Sequence, residues 1–236
     1  MFSTRMRVAA LCWSAALFMP CVSVIAAPVT FTKLTGITGG SPAGTAVYQA
    51  DLSGSGLASI QSISIFDNSG GLGGATGQFS GFDLDAIKLS TANCADAACA
   101  AGASGLSVFD FGGGTLFAPG TQRPPADAKL FGTGPGGNTL DDIVATLALF
   151  DGNSTTAIPG ADGFISLGDN GLITFNLTSP VSTSGVFLYI GEVGDNGEVA
   201  ASDIEVRENT VPEPTTLALL GLAFGGIGLA RRRTLN

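Results

Sequence analysis

The stretch FISLGDNGLITFNL, residues 164–177, carries the clearest secondary-structure signal in the chain. Its second half alternates apolar Ile, Phe and Leu with polar Thr and Asn, which is the period-two pattern of a strand with one buried face. The central GDNG supplies residues that adopt the positive φ angles of tight turns. We therefore predict a β-hairpin here, with strands at Phe164–Leu167 and Leu172–Leu177.

Similar short apolar runs, bounded by clusters of Gly, Asp, Asn and Pro, recur along the chain. The other predicted strands are Val29–Leu34, Thr45–Leu52, Ser59–Phe66, Phe82–Leu89, Leu106–Phe111, Ile143–Phe150, Val186–Val193 and Ile204–Arg207. Many short strands joined by tight turns are typical of an all-β fold, and we predict a β-sandwich or jelly-roll-like domain. Two long loops are expected, at Gly70–Gly81 and Gly112–Gly137.

One of these predicted strands has a helical alternative. Thr139 lies three residues before Asp142, a spacing similar to a capping box, and the apolar run 143–149 follows. We favour a strand because the run begins with β-branched Ile and Val and an Asp-Gly turn follows it directly.

The first 27 residues have the composition of a secretory signal peptide. Two arginines begin the segment, an apolar run follows at 8–18, and small residues precede Pro28. The apolar run is shorter than the roughly 20 residues of a membrane-spanning helix, which favours cleavage after Ala26 or Ala27 over a permanent anchor. Lipidation of Cys21 is disfavoured because the expected small residues do not precede it.

The C-terminus has three parts in a fixed order. Val211-Pro212-Glu213-Pro214 is a stiff extended spacer, since each proline fixes φ and removes a donor. The uncharged run Thr215–Ala230 would span about 24 Å as a helix, slightly less than a ~30 Å hydrocarbon core. Arg231-Arg232-Arg233 ends the run. Because positive charge stays on the cytoplasmic side, we expect everything before the run to lie outside the inner membrane.

This order of parts resembles the PEP-CTERM sorting signal of Gram-negative bacteria. The resemblance implies that an exosortase-like membrane enzyme removes the tail, and that the inner membrane holds the protein only transiently. It also implies a cell-surface or extracellular destination, typically in species that make exopolysaccharide and biofilm. The alternatives are a permanent tail anchor and a buried core helix, of which the second would not usually end in three arginines. The expected organisation is a signal peptide at 1–27, an acidic β-sandwich at 28–210 and the sorting signal at 211–236.

The predicted domain between the two signals is strongly acidic. Residues 28–210 contain five basic and 18 acidic side chains, which gives a net charge of −13. This balance argues against nucleic acid as a partner, because phosphate binding requires clustered Lys and Arg. The chain has no histidine, which excludes Ser-His-Asp and Cys-His catalysis and His-ligated zinc.

Two cysteines remain in the domain after removal of the signal peptide, Cys94 and Cys99. We expect them to form a disulfide, because exported proteins fold in an oxidising compartment. A redox or metal role is disfavoured because their spacing is not Cys-x-x-Cys.

Acidic residues supply the candidates for a metal or catalytic site. Asp83 and Asp85 are candidate calcium ligands, because residues two apart in a strand share a face and hard cations take carboxylate oxygens. Asp195 or Glu198 would complete such a site. The alternative is an ordinary solvated strand face, and no cofactor is expected to be required. Glu192 is the candidate for a glycan hydrolase, whose chemistry needs only two carboxylates.

We expect the mature protein to be non-enzymatic and of structural or interaction type, with extracellular polysaccharide as a candidate partner. The alternatives are a carbohydrate- or calcium-binding module and a secreted glycan hydrolase. Sugar binding commonly uses exposed aromatic side chains, yet the domain after the signal peptide contains no Trp and only Tyr48 and Tyr189 besides Phe.

Overall fold

Two five-stranded antiparallel sheets pack face to face in the computed structural model. The structure describes residues 25–40, 44–68, 75–152, 163–201 and 203–211. In chain order the strands are β1 (Ala26–Pro28), β2 (Thr32–Thr38), β3 (Thr45–Asp51), β4 (Ser59–Phe66), β5 (Asp83–Ser90), β6 (Thr115–Ala118), β7 (Ile165–Ser166), β8 (Leu172–Ser182), β9 (Phe187–Val193) and β10 (Asp203–Arg207). The first sheet has the order β1-β10-β4-β8-β6 and the second β2-β3-β9-β5-β7. This architecture confirms the all-β sandwich prediction.

The main core lies between the two sheets and follows the alternation of the strands. In β8, Ile173, Phe175 and Leu177 are buried in that core, as the period-two pattern predicts. Thr174 and Asn176 lie on the outer face of the same strand, because successive side chains of a strand point to opposite faces. The face that the sequence assigned to each of these residues is therefore correct.

The pairing predicted for this stretch is wrong. Ile165–Ser166 forms β7, which pairs with β5 in the second sheet, whereas β8 belongs to the first sheet. The turn between them therefore connects the two sheets and does not close a hairpin. Its chemistry is as expected, since Gly168 and Asn170 both have positive φ, at 76° and 63°. Both faces of β7 are buried, which fits its position between β5 and the loops packed around it.

The predicted strand Ile143–Phe150 is also wrong. Its first part is a one-turn helix, α2 (Asp142–Ala145), and the rest is irregular. The Asp141 side chain caps the helix by accepting a hydrogen bond from the Val144 backbone N–H at 3.4 Å. The helical alternative was thus correct for the first turn, with the cap two residues later than Thr139. A local side-chain cap outweighs the β preference of the run here.

The predicted strand Leu106–Phe111 makes only an isolated bridge between Phe109 and Leu177. The strand in this region is β6, which lies within the predicted loop Gly112–Gly137. Asp110 accepts hydrogen bonds from two glycine N–H groups and so forms a turn before β6. Phe109 and Phe111 still cover the core, with ring centroids 6.0 and 5.9 Å from that of Phe175.

Two other helices are short, α1 (Ala97–Gly102) and α3 (Glu198–Ala201). Cys94 and Cys99 form a disulfide with a Cα–Cα distance of 5.5 Å, as predicted, and it joins the loop before α1 to the helix. In the described part of the chain no helix is long and apolar enough to cross a membrane. The predicted apolar helix Thr215–Ala230, the Pro-Glu-Pro motif and the terminal arginines lie outside that part, as do residues 1–24 of the signal peptide.

Candidate functional site

Among the described residues five carboxyl side chains are buried in the sandwich, although burial of a charge is costly unless hydrogen bonds or opposite charges compensate. They are Asp67, Asp83, Asp85, Glu192 and Glu198, each no more than 6% exposed. The partners of each group show what these carboxyls do in the fold.

Glu192 binds the backbone of the turn that follows β9. Its Oε1 accepts hydrogen bonds from the N–H groups of Asn196, Gly197 and Glu198 at 2.9, 2.8 and 3.0 Å. Its Oε2 accepts a fourth, from Val199 at 3.3 Å. Such N–H groups at the start of a helix have no partner within the helix, so the carboxylate satisfies them. Glu192, the candidate residue for glycan hydrolysis, is fully buried near the end of β9.

Tyr48 adjoins the same carboxylate from β3. Burial raises the pKa of the Tyr48 phenol, and the charge of Glu192 raises that pKa further. The phenol therefore stays protonated at neutral pH. Glu192 is thus surrounded by hydrogen-bond donors, which explains how a carboxylate is accommodated between the sheets.

Asp83 and Glu198 form a pair of adjacent buried carboxyls. The Asp83 backbone N–H donates to Glu198 Oε2 at 3.1 Å, and Ser166 Oγ donates to Asp83 Oδ1. Burial, followed by the charge of Glu198, raises the pKa of Asp83. Burial raises the pKa of Glu198 to about 8, so this carboxyl is mainly protonated at neutral pH. Its Oε1 has no hydrogen-bond partner within the described residues.

Asp85 binds a different part of the fold from Asp83. Thr45 Oγ1 donates to Asp85 Oδ2 at 2.7 Å, and the Gly152 N–H donates to Oδ1 at 2.9 Å. A β-bulge also places Asp85 as an extra residue between the pairs that Leu84 and Ala86 make with β9. The regular alternation on which the calcium prediction depends is therefore interrupted at Asp85.

The structure brings only one of the two suggested additional ligands to Asp83. Glu198 contacts its backbone, whereas Asp195 forms an ion pair with Lys33. Among the described residues no group of three or more His, Cys, Asp or Glu side chains is arranged to hold a metal ion. Calcium binding by Asp83 and Asp85 stays a prediction without a ligand cluster in support.

An ion pair that the sequence did not predict lies near these carboxyls. Arg123 binds Asp169 through two nitrogens, with Nε and Nη2 2.9 and 2.7 Å from Oδ1. Asp169 belongs to the turn that connects the sheets, and Asp67 accepts a hydrogen bond from the Asn170 N–H of that turn at 2.9 Å. The Asp-Asn-Gly sequence indicated a turn, but nothing in it indicated Arg123 as the partner.

A second feature lies at the end of the described chain. Ser62 Oγ donates to the Asn209 carbonyl at 2.7 Å. The Asn176 side chain makes two hydrogen bonds to the backbone of Val211: its Nδ2 donates to the carbonyl at 2.9 Å, and its Oδ1 accepts from the N–H at 2.8 Å. We call Asn209–Val211 the strap. Val211 is the first residue of the predicted spacer, so the strap connects the sandwich directly to the predicted sorting signal.

The C-terminal segment matches a known family model. The model describes the PEP-CTERM protein-sorting motif, and it matches residues 210–233, which include the Pro-Glu-Pro spacer, the apolar run and the arginine cluster. No curated protein and no solved structure matches the chain. The motif marks an exported protein with a membrane-associated sorting signal that an exosortase processes. The chain therefore carries a PEP-CTERM protein-sorting motif, which begins three residues after the last strand of the β-sandwich.

Proposed function

We propose that the mature β-sandwich is a non-enzymatic structural or interaction module of the cell surface or extracellular matrix, associated with exopolysaccharide in a biofilm. The observation that carries the proposal is the position of the sorting motif. The motif match begins at residue 210, and β10 ends at Arg207. The whole sandwich therefore precedes the tail and belongs to the part that sorting delivers.

The charge of the domain suits a hydrated anionic matrix. Many acidic side chains are exposed, among them Asp51, Asp96, Asp110, Asp127, Asp142, Asp195 and Asp203. Such a surface keeps the domain soluble and repels other copies. Divalent cations would bridge it to acidic polysaccharide, which gives a route to matrix association that needs no sugar pocket.

The arrangement of the buried carboxyls supports a non-enzymatic role. Glycan hydrolysis requires two carboxyl groups that face a substrate-accessible cleft at a defined separation. Glu192, the strongest candidate in the sequence, is buried and binds four backbone N–H groups. Its charge stabilises a turn of the fold, where it is unavailable as a nucleophile or general base.

Fractionation of the native host tests the proposal. Glu213→Gln alters the Pro-Glu-Pro motif, and Glu208→Gln makes the same chemical change outside the matched segment. We expect wild-type protein and the Glu208 variant in the matrix fraction, with release by EDTA, and the Glu213 variant in the inner membrane with its tail. Wild-type protein confined to the inner membrane would overturn the proposal.

The enzymatic alternative has its own test. The processed domain is incubated with purified exopolysaccharide of the host and with a panel of glycans, and reducing ends are measured. We expect none to be released above the level of a boiled sample. Release that depends on native domain would contradict the non-enzymatic assignment.

A further inference from the structure

The strap crosses the outer face of the first sheet on its way to the sorting motif. At the end of β10, Arg207 pairs with Ser62 of β4. Two residues later the Ser62 hydroxyl binds the carbonyl of Asn209, and Asn176 of β8 then binds Val211. Because β4 lies between β10 and β8 in the sheet, the chain passes over β4 and reaches β8 at Val211.

Asn176 occupies both backbone groups of Val211. Its amide donates to the Val211 carbonyl and accepts from the Val211 N–H, as a neighbouring strand would. Only a side chain that both donates and accepts can make this pair. Ser62 and Asn176 are also directly opposite each other in the β4–β8 register, so the two attachments come from one position in the sheet.

This attachment has a consequence for proteolytic processing. Enzymes that cut a peptide chain commonly bind it in extended form through the backbone N–H and C=O groups, and those groups must be free. We infer that Asn176 is a positioning residue that sets the upstream limit of the tail the exosortase can engage. The cut bond then lies beyond Val211, and the mature protein keeps the strap. The inference rests on the sorting motif and is independent of the proposed role in the matrix.

The short distance between domain and tail makes this limit effective. The four residues from Pro212 to Thr215 span at most about 14 Å. While the strap is attached, the enzyme has only this length of chain between the sandwich and the start of the apolar run. Detachment of the strap from both Ser62 and Asn176 adds its three residues, about 11 Å of extended chain, and exposes bonds upstream of Val211.

Two substitutions on the outer face of β8 test the inference in the native host. Asn176→Leu has a similar shape and removes both hydrogen bonds to Val211. Thr174→Val is the matched control, because it removes a hydrogen bond to Ser64 on the same face without touching the strap. We expect the wild type and the Thr174 variant to share one C-terminus beyond Val211, and the Asn176 variant to gain shorter C-termini at or before Val211. Intact mass gives the C-termini, and pulse-chase labelling gives the processing rate.

Hydrogen exchange gives a direct readout of the attachment. Loss of two hydrogen bonds worth about a factor of five each should raise exchange of the Val211 amide roughly 25-fold in the Asn176 variant. The full-length chain in detergent is used, and the Thr174 variant should exchange at the wild-type rate. If the Asn176 variant fails to fold by thermal melting, Ser62→Ala replaces it, since it loosens the other end of the strap.

Three results would overturn the inference. The first is a wild-type C-terminus upstream of Val211. The second is a Val211 amide that exchanges as fast in the wild type as in the variant. The third is unchanged C-termini and processing rate in a variant whose Val211 amide has lost protection. A domain that is processed as expected but is absent from the matrix would contradict only the proposed function.

Discussion

The backbone N–H of Asp83 donates a 3.1 Å hydrogen bond to Glu198 Oε2, which places two buried carboxyl groups beside each other. Burial favours the neutral form of both, and it raises the pKa of Glu198 to about 8. Because burial raises the pKa of both carboxyls, the pair couples the stability of the fold to pH.

We predict that the processed domain is more stable at pH 5 than at pH 8. Glu198 has an ordinary pKa of 4.5 when unfolded, so between pH 4.5 and about 8 the folded state binds more protons than the unfolded state. The free energy of unfolding therefore falls as pH rises through this window, by an amount on the order of 4 kcal/mol. Urea unfolding at a series of pH values measures this change in the free energy of unfolding.

Glu198→Gln should reduce this pH dependence, because glutamine mimics the protonated acid, and the part that comes from Asp83 should remain. Glu208→Gln, which changes a glutamate in the loop after β10, is the control and should keep the full slope. An equal slope in the Glu198 variant and the wild type would refute the assignment of the effect to this side chain.

We predict that Glu192→Gln destabilises the domain by about 2–3 kcal/mol, because the new amide group points hydrogens at backbone N–H groups that need an acceptor. Chemical denaturation measures the loss. Glu205→Gln is the comparison, since its partner Arg207 forms a partly exposed ion pair that contributes little. A Glu192 variant as stable as the wild type would show that the turn does not depend on this carboxylate.

We predict that calcium leaves the melting temperature of the processed domain unchanged. A cation that binds only the folded state must raise the melting midpoint by mass action. Calorimetry of the processed domain in EDTA and in millimolar Ca²⁺ measures the two melting temperatures to be compared. A higher midpoint in Ca²⁺ that Asp83→Asn abolishes would instead support the calcium site that the sequence suggests.

We predict a modest loss of stability, about 2 kcal/mol, on reduction of Cys94–Cys99, because the disulfide closes a very short loop. The comparison is thermal melting with and without reductant, with Cys94→Ser/Cys99→Ser as the genetic equivalent. Failure of the reduced domain to fold would contradict this prediction. It would show that the disulfide contributes far more than about 2 kcal/mol to the free energy of unfolding.

The sequence predicted strands and faces better than it predicted partners. The limits Ser59–Phe66 and the alternation in β8 are correct, because burial of one sheet face imposes a two-residue period on the chain. That period identifies a face and not a sheet, so it did not reveal that β7 and β8 lie in different sheets. For the same reason it gave no sign of the bulge at Asp85.

Of the functional features, the sequence revealed the contiguous sorting signal but not the contacts between residues that are distant along the chain. The sorting signal could be recognised because its parts are contiguous and each has a distinct composition. The attachment of Val211 to Asn176 could not, because the two residues are 35 positions apart and an outer-face asparagine resembles any solvated one. The burial of Glu192 depends on four N–H groups of a turn, which only the folded chain brings together.

The intact mass of the protein recovered from the surface and medium of the native host shows whether an exosortase removes the C-terminal tail. We predict a chain that lacks the first 26 or 27 residues and the segment beyond about Pro212. A mass that retains Thr215–Asn236 would show a permanent anchor, and it would contradict both exosortase processing and a role in the matrix.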